Sequence, residues 1–264
     1  MSDPFVPAAD AVLSADIAVP EHEREMRFYS SVLTTGENPL WRKDLMNNLG
    51  MPIIGLGARS PEYAHLPLQW MPHIQVADVA ASAERSLDLG GNELMHAKDD
   101  DGQSQWAVLL DLDGAAFGVI PVVSTATVPS TAGASRDAGA RVGRISGLDL
   151  TVSDASAARD FYQQVVDWSA QDVEMEDANG RYVDYSLFAG DGAPAARVCH
   201  SRGANVGLPP IWMISLPVGD LAESLRRARE GGGEITKATR GPDGKFAYAV
   251  VQDPVGACVA LVPG

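Results

Sequence analysis

A carboxylate at Asp16 and an imidazole at His73 are the side chains of this sequence best suited to proton transfer. Set on neighbouring strands, they would form a general base and its orienting partner. A structural reading competes, with Asp16 bonding a local backbone group and His73 a satisfied core residue. Other reactive patterns carry less. Cys199 and His200 are adjacent on a predicted strand, so their side chains point to opposite faces, which disfavours a thiol–imidazole nucleophile. Cys258 has no histidine that the sequence places beside it. Gly231-Gly232-Gly233 follows a helix instead of opening one, so it is a helix stop and not a phosphate cradle.

The elements that would hold these groups are written twice. Trp70–Pro121 repeats as Trp212–Pro263, each partner lying 142 positions on without a gap. Trp70 falls on Trp212, Asp78 on Asp220, Gly90-Gly91 on Gly232-Gly233, Asp111 on Asp253 and Gly114 on Gly256. Register held over that length is a duplication. Upstream, Asp16–Val19 and Phe28-Tyr29 repeat as Asp149–Val152 and Phe161-Tyr162 at an offset of 133. The second domain therefore carries extra residues between its first helix and Trp212. Trp70 and Trp212 recur, which marks them as packing residues.

Val12–Val19 reads as a half-buried strand, and Pro20-Glu21-His22-Glu23 opens a helix to about Leu33. Residues 38–60 read as two or three strands ending in the apolar Met51–Leu56. Trp70–Val76 is a strand, Asp78 an N-cap, Ala80–Leu89 a helix stopped by Gly90-Gly91. Strands follow at Glu93–Ala97, Trp106–Asp111 and Ala116–Val122, the last two joined by an Asp111–Gly114 turn. Later, Ser153/Asp154 caps the helix Ala157–Val166, and Arg181–Ala189 and Ala195–His200 are strands. The reading is a tail at 1–11, a domain at 12–123, a small-residue linker at 124–143 and a domain at 144–264. Each domain holds two βαβββ units.

With 264 residues, 45% hydrophobic and 21% charged, the chain has material for two packed cores. A net charge of −15 and a pI near 4.6 exclude nucleic acid and anionic membrane surfaces as partners. Two cysteines do not suggest a disulfide framework, no secretory leader opens the sequence and no apolar run reaches 18 residues. A cytoplasmic, soluble protein is expected.

Paired βαβββ units with a V-x-D after a strand, F-Y in a helix and a D-P-x-G turn resemble the vicinal oxygen chelate superfamily. That family includes glyoxalase I, extradiol dioxygenases and bleomycin and fosfomycin resistance proteins. The matching residues are Val152-Ser153-Asp154, Phe161-Tyr162, Val218-Gly219-Asp220, Gly231-Gly232-Gly233 and Asp253-Pro254-Val255-Gly256. In the first domain they are Phe28-Tyr29, Val76-Ala77-Asp78, Gly90-Gly91 and Asp111–Gly114. The resemblance implies an α+β fold of two tandem domains, each a curled mixed sheet around a cavity. It is nearest to tandem-domain, glyoxalase-like proteins, which share Pro209-Pro210-Ile211-Trp212.

Carried over position by position, the family's metal ligands fall on Ser14, Met71, Gly118, Gly147, Met213 and Ala260. None supplies an imidazole or carboxylate, so the expectation is no metal and no cofactor. Counting by twos from those positions, the cavity of the first domain takes Ser14, Asp16, Met71, His73, Gln75, Ala116 and Gly118. That of the second takes Gly147, Asp149, Thr151, Met213, Ser215, Cys258 and Ala260. Asp16 and His73 are the expected catalytic pair, and Trp41 and Tyr182 add aromatic surface to the expected binding residues. Three functions follow: a metal-independent enzyme acting on a small carbonyl-bearing or aromatic metabolite, a non-catalytic protein that binds a drug-like molecule, or a regulatory protein with vestigial cavities. A small-molecule ligand is the expected partner, and the chain is expected to be a monomer or homodimer.

Overall fold

The computed structural model describes residues 12–123 and 141–264. The expected tail, and all of the expected linker except 141–143, lie outside the described residues. In chain order the elements are β1 (Val12–Val19), α1 (His22–Leu33) and β2 (Ile54–Ala58). Then come β3 (Met71–Val76), α2 (Val79–Asp88), β4 (Asn92–Lys98), β5 (Ser104–Leu110) and β6 (Ala116–Pro121). The third group is β7 (Gly147–Val152), α3 (Ala155–Val166), β8 (Ser169–Asp177), β9 (Gly180–Phe188) and β10 (Pro194–His200). The last is β11 (Trp212–Val218), α4 (Leu221–Glu230), β12 (Glu234–Arg240), β13 (Phe246–Gln252) and β14 (Cys258–Pro263). The strands belong to two mixed sheets, of six and eight strands, and the fold is α+β as expected. Among the described residues, no helix is long and apolar enough to cross a membrane.

Three of the four expected βαβββ units are complete; the first is not. Between α1 and β2 there is one isolated bridge, Trp41 to Asn47, where one or two further strands were expected. The backbone there takes positive φ at Gly36, Leu45 and Gly50, and Pro39 and Pro52 lack the N–H a ladder needs. Asn47 closes the segment on itself, its Oδ1 accepting from the N–H groups of Leu49 and Met51. The reverse occurs at β8, an acidic and largely exposed strand with no apolar alternation, which pairs with β9 from Ser169 opposite Phe188 to Asp177 opposite Gly180. The extra residues of the second domain hold this strand.

Aspartates open three helices as expected. Asp78, Asp154 and Asp220 each accept a backbone N–H, from Ala81, Ala157 and Glu223, at 3.0, 3.0 and 2.9 Å. By internal contacts the described chain divides into two units. One holds 12–13, 71–123 and 148–212; the other holds 14–70, 141–147 and 213–264.

In the first unit, β3 runs parallel to β6, and β5 is antiparallel to both β6 and β4. Likewise β7 runs parallel to β10, and β9 is antiparallel to both β10 and β8. Helix α2 packs on β4, β5 and β6, α3 packs on β8, β9 and β10, and the two helices touch. The unit is locked at Tyr162, whose hydroxyl donates to Asp111 Oδ2 at 2.9 Å and accepts from Trp212 Nε1 at 2.8 Å. Asp111 Oδ1 accepts from the N–H groups of Asp113 and Ala115, closing the β5–β6 turn. Burial pushes the Asp111 carboxyl up to about 6 against these hydrogen bonds, and the Tyr162 phenol is raised by the same burial.

The second unit repeats the lock. Tyr29 donates to Asp253 Oδ2 at 2.8 Å and accepts from Trp70 Nε1 at 3.1 Å, while Asp253 Oδ1 accepts from Val255 and Ala257. Here β1 runs parallel to β2, β11 to β14, and β13 is antiparallel to β14 and β12, with α1 against α4. One residue breaks the correspondence. Glu25 on α1 is fully buried beside Asp253, and neither carboxyl oxygen has a hydrogen-bond partner; the repeat places Ala158 at that position beside Asp111.

Burial, then the neighbouring Asp253 carboxylate, raise the Glu25 carboxyl to about 7 from an ordinary value of 4.5. The folded chain therefore holds this proton more tightly than the unfolded chain, so stability is greatest below pH 4.5 for this group and declines as pH rises to 7. Glu25→Ala, which copies the other unit, is expected to flatten that decline in urea unfolding measured from pH 4.5 to 7.5, leaving the smaller slope due to Asp111. An unchanged slope would show that Glu25 is ionised in the folded protein.

Candidate functional site

Each group of elements pairs one inward position of its first strand with one on the parallel neighbour. The four pairs are Asp16 opposite Gly55, His73 opposite Gly118, Asp149 opposite Arg197 and Ser215 opposite Ala260. Their sequence neighbours, among them Ile17, Ile74, Leu150 and Leu216, fill the buried core, so alternation turns these four pairs to the other face of each strand. Two glycines make room there. A Cβ at Gly118 would stand 2.7 Å from His73 Cδ2, so the imidazole lies across the neighbouring strand. A Cβ at Gly55 would collide with the Asp16 carboxyl, which lies in the same way.

Asp16 is exposed in one unit and His73 half-buried in the other. Beside Gly118 on that face stands Val108 of β5, with Trp106 and Leu110 two residues to either side, all at least partly exposed. Ser14 is half-buried on β1. Gln75 is buried, its Oε1 accepting the Val123 N–H at 2.8 Å. Trp41 is buried with its indole N–H given to the Pro217 carbonyl at 2.7 Å, and Gly143 packs against its ring. Ser215 and Cys258 are buried in the second unit, and burial raises the Cys258 thiol.

The densest set of polar groups lies on β7, β10 and β9 of the first unit. Asp149 Oδ1 accepts from Arg197 Nε at 2.5 Å, and Thr151 pairs with Cys199 one step along. Asp184, on β9, is buried; its Oδ1 accepts the His200 backbone N–H at 2.8 Å and lies 3.1 Å from His200 Nδ1. The other carboxylate oxygen is buried without a partner. The His200 side chain is 20% exposed, so the buried acid fixes one ring nitrogen and leaves the ring open to solvent. Tyr182 meets the His200 ring edge-on at 5.8 Å between centroids, with Arg202 over its face and that guanidinium held by Asp177 at 2.9 and 3.1 Å. Cys199 stays a thiol, since burial and then the Asp184 and Asp149 carboxylates push it up to about 12.

The Asp184–His200 pair was not expected. Its one signal was His200 at the end of a strand, where the chain turns and strict alternation lapses; nothing in the sequence tied it to Asp184 across a hairpin. The family's metal positions are filled by Ser14, Met71, Gly118, Gly147, Met213 and Ala260, and among the described residues no three His, Cys, Asp or Glu side chains gather into a ligand set. Those residues do not fit a divalent ion, and no step here is routed through one.

Residues 142–261 match the family model described as Glyoxalase/Bleomycin resistance protein/Dioxygenase superfamily. A Mycobacterium tuberculosis protein described as a glyoxylase, CFP32, is 31% identical over 123 residues, which is 46% of each chain. The anthracycline biosynthesis protein DnrV of Streptomyces peucetius is 28% identical over 126 residues, 43% of this chain and 44% of that one. Each match thus spans less than half the length of the curated relative. Among solved structures, 2,2',3-trihydroxybiphenyl 1,2-dioxygenase from Sphingomonas wittichii aligns with 97% of this chain and 91% of its own, at a TM-score of 0.55 and 15% identity. A variant of 4-hydroxymandelate synthase from Streptomyces coelicolor aligns with 97% and 93%, at 0.53 and 10%. Both likenesses are of fold.

If Gly118 is the seat of the His73 ring, Gly118→Ala must displace the ring while leaving the α2 side of the sheet intact. The expected result is a moved His73 ring-proton resonance in NMR with a stability loss of about 1 kcal/mol. An unmoved resonance would show that the ring does not rest there.

Proposed function

We propose, from the match of residues 142–261 to the glyoxalase/bleomycin resistance protein/dioxygenase superfamily model, that this chain is a metal-independent enzyme of that superfamily using acid–base catalysis on a small carbonyl-bearing or aromatic metabolite. The observation that carries the reading is the Asp184–His200 pair, a buried carboxylate bonded to one nitrogen of a partly exposed imidazole. In this role His200 Nε2 takes or returns a substrate proton, and Asp184 holds the tautomer that makes Nε2 the acceptor. Asp16 in one unit and His73 in the other each serve as a further acid–base group. Asp149, Thr151 and Tyr182 supply polar anchors in the first unit and Ser215 in the second, with the remaining inward residues of each unit shaping its walls. The setting is specialised metabolism or detoxification, which the names of the relatives support at that coarse level. The chain works in the cytoplasm as a monomer or homodimer, without nucleic acid or membrane partner.

A binding protein without turnover is the second reading. It is favoured by the aromatic and aliphatic face made by Trp106, Val108 and Leu110 beside His73. Turnover of a panel of 1,2-dicarbonyl and phenolic compounds, followed by NMR, separates the two. An enzyme of the proposed kind loses about a hundredfold in kcat on His200→Gln, with KM little changed, and also loses turnover on Asp16→Asn. Compounds that bind without being converted would favour the second reading. Conversion that survives both substitutions at the wild-type rate would refute the assigned roles.

A further inference from the structure

We infer that Glu93, His96 and Ser104, on the hairpin of β4 and β5, form a serine nucleophile with its base and orienting acid, suited to a small neutral or cationic carboxylic ester. Ser104 Oγ lies 2.8 Å from His96 Nε2, and His96 Nδ1 lies 2.8 Å from Glu93 Oε2. That order, hydroxyl to one ring nitrogen and carboxylate on the other, is the arrangement by which an imidazole activates a serine. The His96 side chain is 14% exposed, Glu93 33%, and Ser104 is half-buried, so the hydroxyl is reachable while the ring is held.

Regular strands would not bring the three together. Glu93 and His96 are an odd number of residues apart, which in an unbroken strand sends them to opposite faces. A bulge intervenes, because Glu93 pairs with Leu109 but Met95 with Val108, leaving Leu94 as the extra residue. A second bulge follows, since Ala97 pairs with Trp106 but Lys98 with Ser104, and Gln105 is the extra residue. The first returns Glu93 to the face of His96; the second turns Ser104 to it.

The duplication supplies an internal control. The later copy has register shifts at the same two places, between Ile235 and Lys237 and between Thr239 and Arg240. The bulges therefore belong to the fold. In that copy the three positions are Ile235, Ala238 and Phe246. The backbone device does not require polar residues, and only the earlier copy places a carboxylate, an imidazole and a hydroxyl upon it.

The chemistry closes without a cofactor. As Ser104 Oγ bonds to the ester carbonyl carbon, its proton passes to His96 Nε2. The carbon–oxygen bond to the alcohol then breaks, and the alcohol leaves with that proton. Water repeats the sequence with Ser104 as leaving group and releases the acid. Asp99, Asp100 and Asp101 in the adjoining loop, against the single ammonium of Lys98, disfavour an anionic ester.

The test is reaction of the full chain with a fluorophosphonate, an organophosphorus probe whose fluoride an activated serine displaces, with the adduct located by peptide mass spectrometry. Release of 4-nitrophenolate from 4-nitrophenyl acetate is followed in parallel. The expected result is an adduct on Ser104, slowed about a hundredfold by His96→Gln and less by Glu93→Gln, and absent in Ser104→Ala. Urea unfolding of each variant shows that it is folded. No adduct on Ser104 in the folded wild-type chain, or the same labelling rate in His96→Gln, would overturn the inference.

Discussion

The core of each unit depends on one buried hydrogen bond made twice, from a helix tyrosine to a turn aspartate. Tyr162 reaches Asp111 and Tyr29 reaches Asp253, across 51 and 224 residues of sequence. Bonds to a charged acceptor contribute about 1.5–3 kcal/mol net, and losing the phenol would leave a buried carboxylate oxygen without a donor. The second oxygen of each aspartate closes the turn before β6 or β14. That turn sets the register of the hairpin it joins, and the register puts Gly118 opposite His73 and Ala260 opposite Ser215. A shift of one residue would send the inward set to the helix side of the sheet.

The duplicated lock also shows where the copies diverge. Asp111 and Asp253 keep corresponding donors, a helix tyrosine and two backbone N–H groups of the turn. The residue packed beside the lock is an alanine in one unit and a glutamic acid in the other. A carboxyl buried in this way is costly when ionised, and burial with the neighbouring Asp253 carboxylate raises Glu25 to about 7.

Much of this was legible in the sequence because it is local or repeated. The aspartate caps, the glycine stops and the strands with apolar alternation followed from short-range chemistry, and the repeat exposed the duplication. The F-Y and D-x-x-G motifs were visible as signatures, but that the tyrosine of one bonds the aspartate of the other is a property of packing. Strand β8 was hidden because Asp172, Glu174 and Glu176 face solvent and leave no apolar period. The missing pairing between α1 and β2 was the opposite error: the expected strand at 51–56 forms as β2, but before it the prolines and left-handed residues leave only the Trp41–Asn47 bridge. Counting by twos put Asp149 and Thr151 on the inward face without naming their strand partners Arg197 and Cys199, and Asp184 and His200 meet where β10 ends. Glu93, His96 and Ser104 meet where two bulges break the alternation on which such counting relies.

The polar groups so assembled are not interchangeable, because burial assigns them different work. Asp149 lies against a guanidinium, so its carboxylate is committed to a counter-charge and serves best as an anchor. Asp184 Oδ1 meets the His200 ring and its backbone N–H, and the carboxylate is itself shut away from substrate. It can therefore act only through the ring it orients. His200 is the member of that pair with access to solvent, which makes it the group that can exchange a proton with a ligand. Tyr182 stands edge-on to the ring and is itself covered by Arg202. An inaccessible carboxylate behind an accessible imidazole divides orientation from reaction, and acid–base chemistry needs that division more than it needs any one residue type.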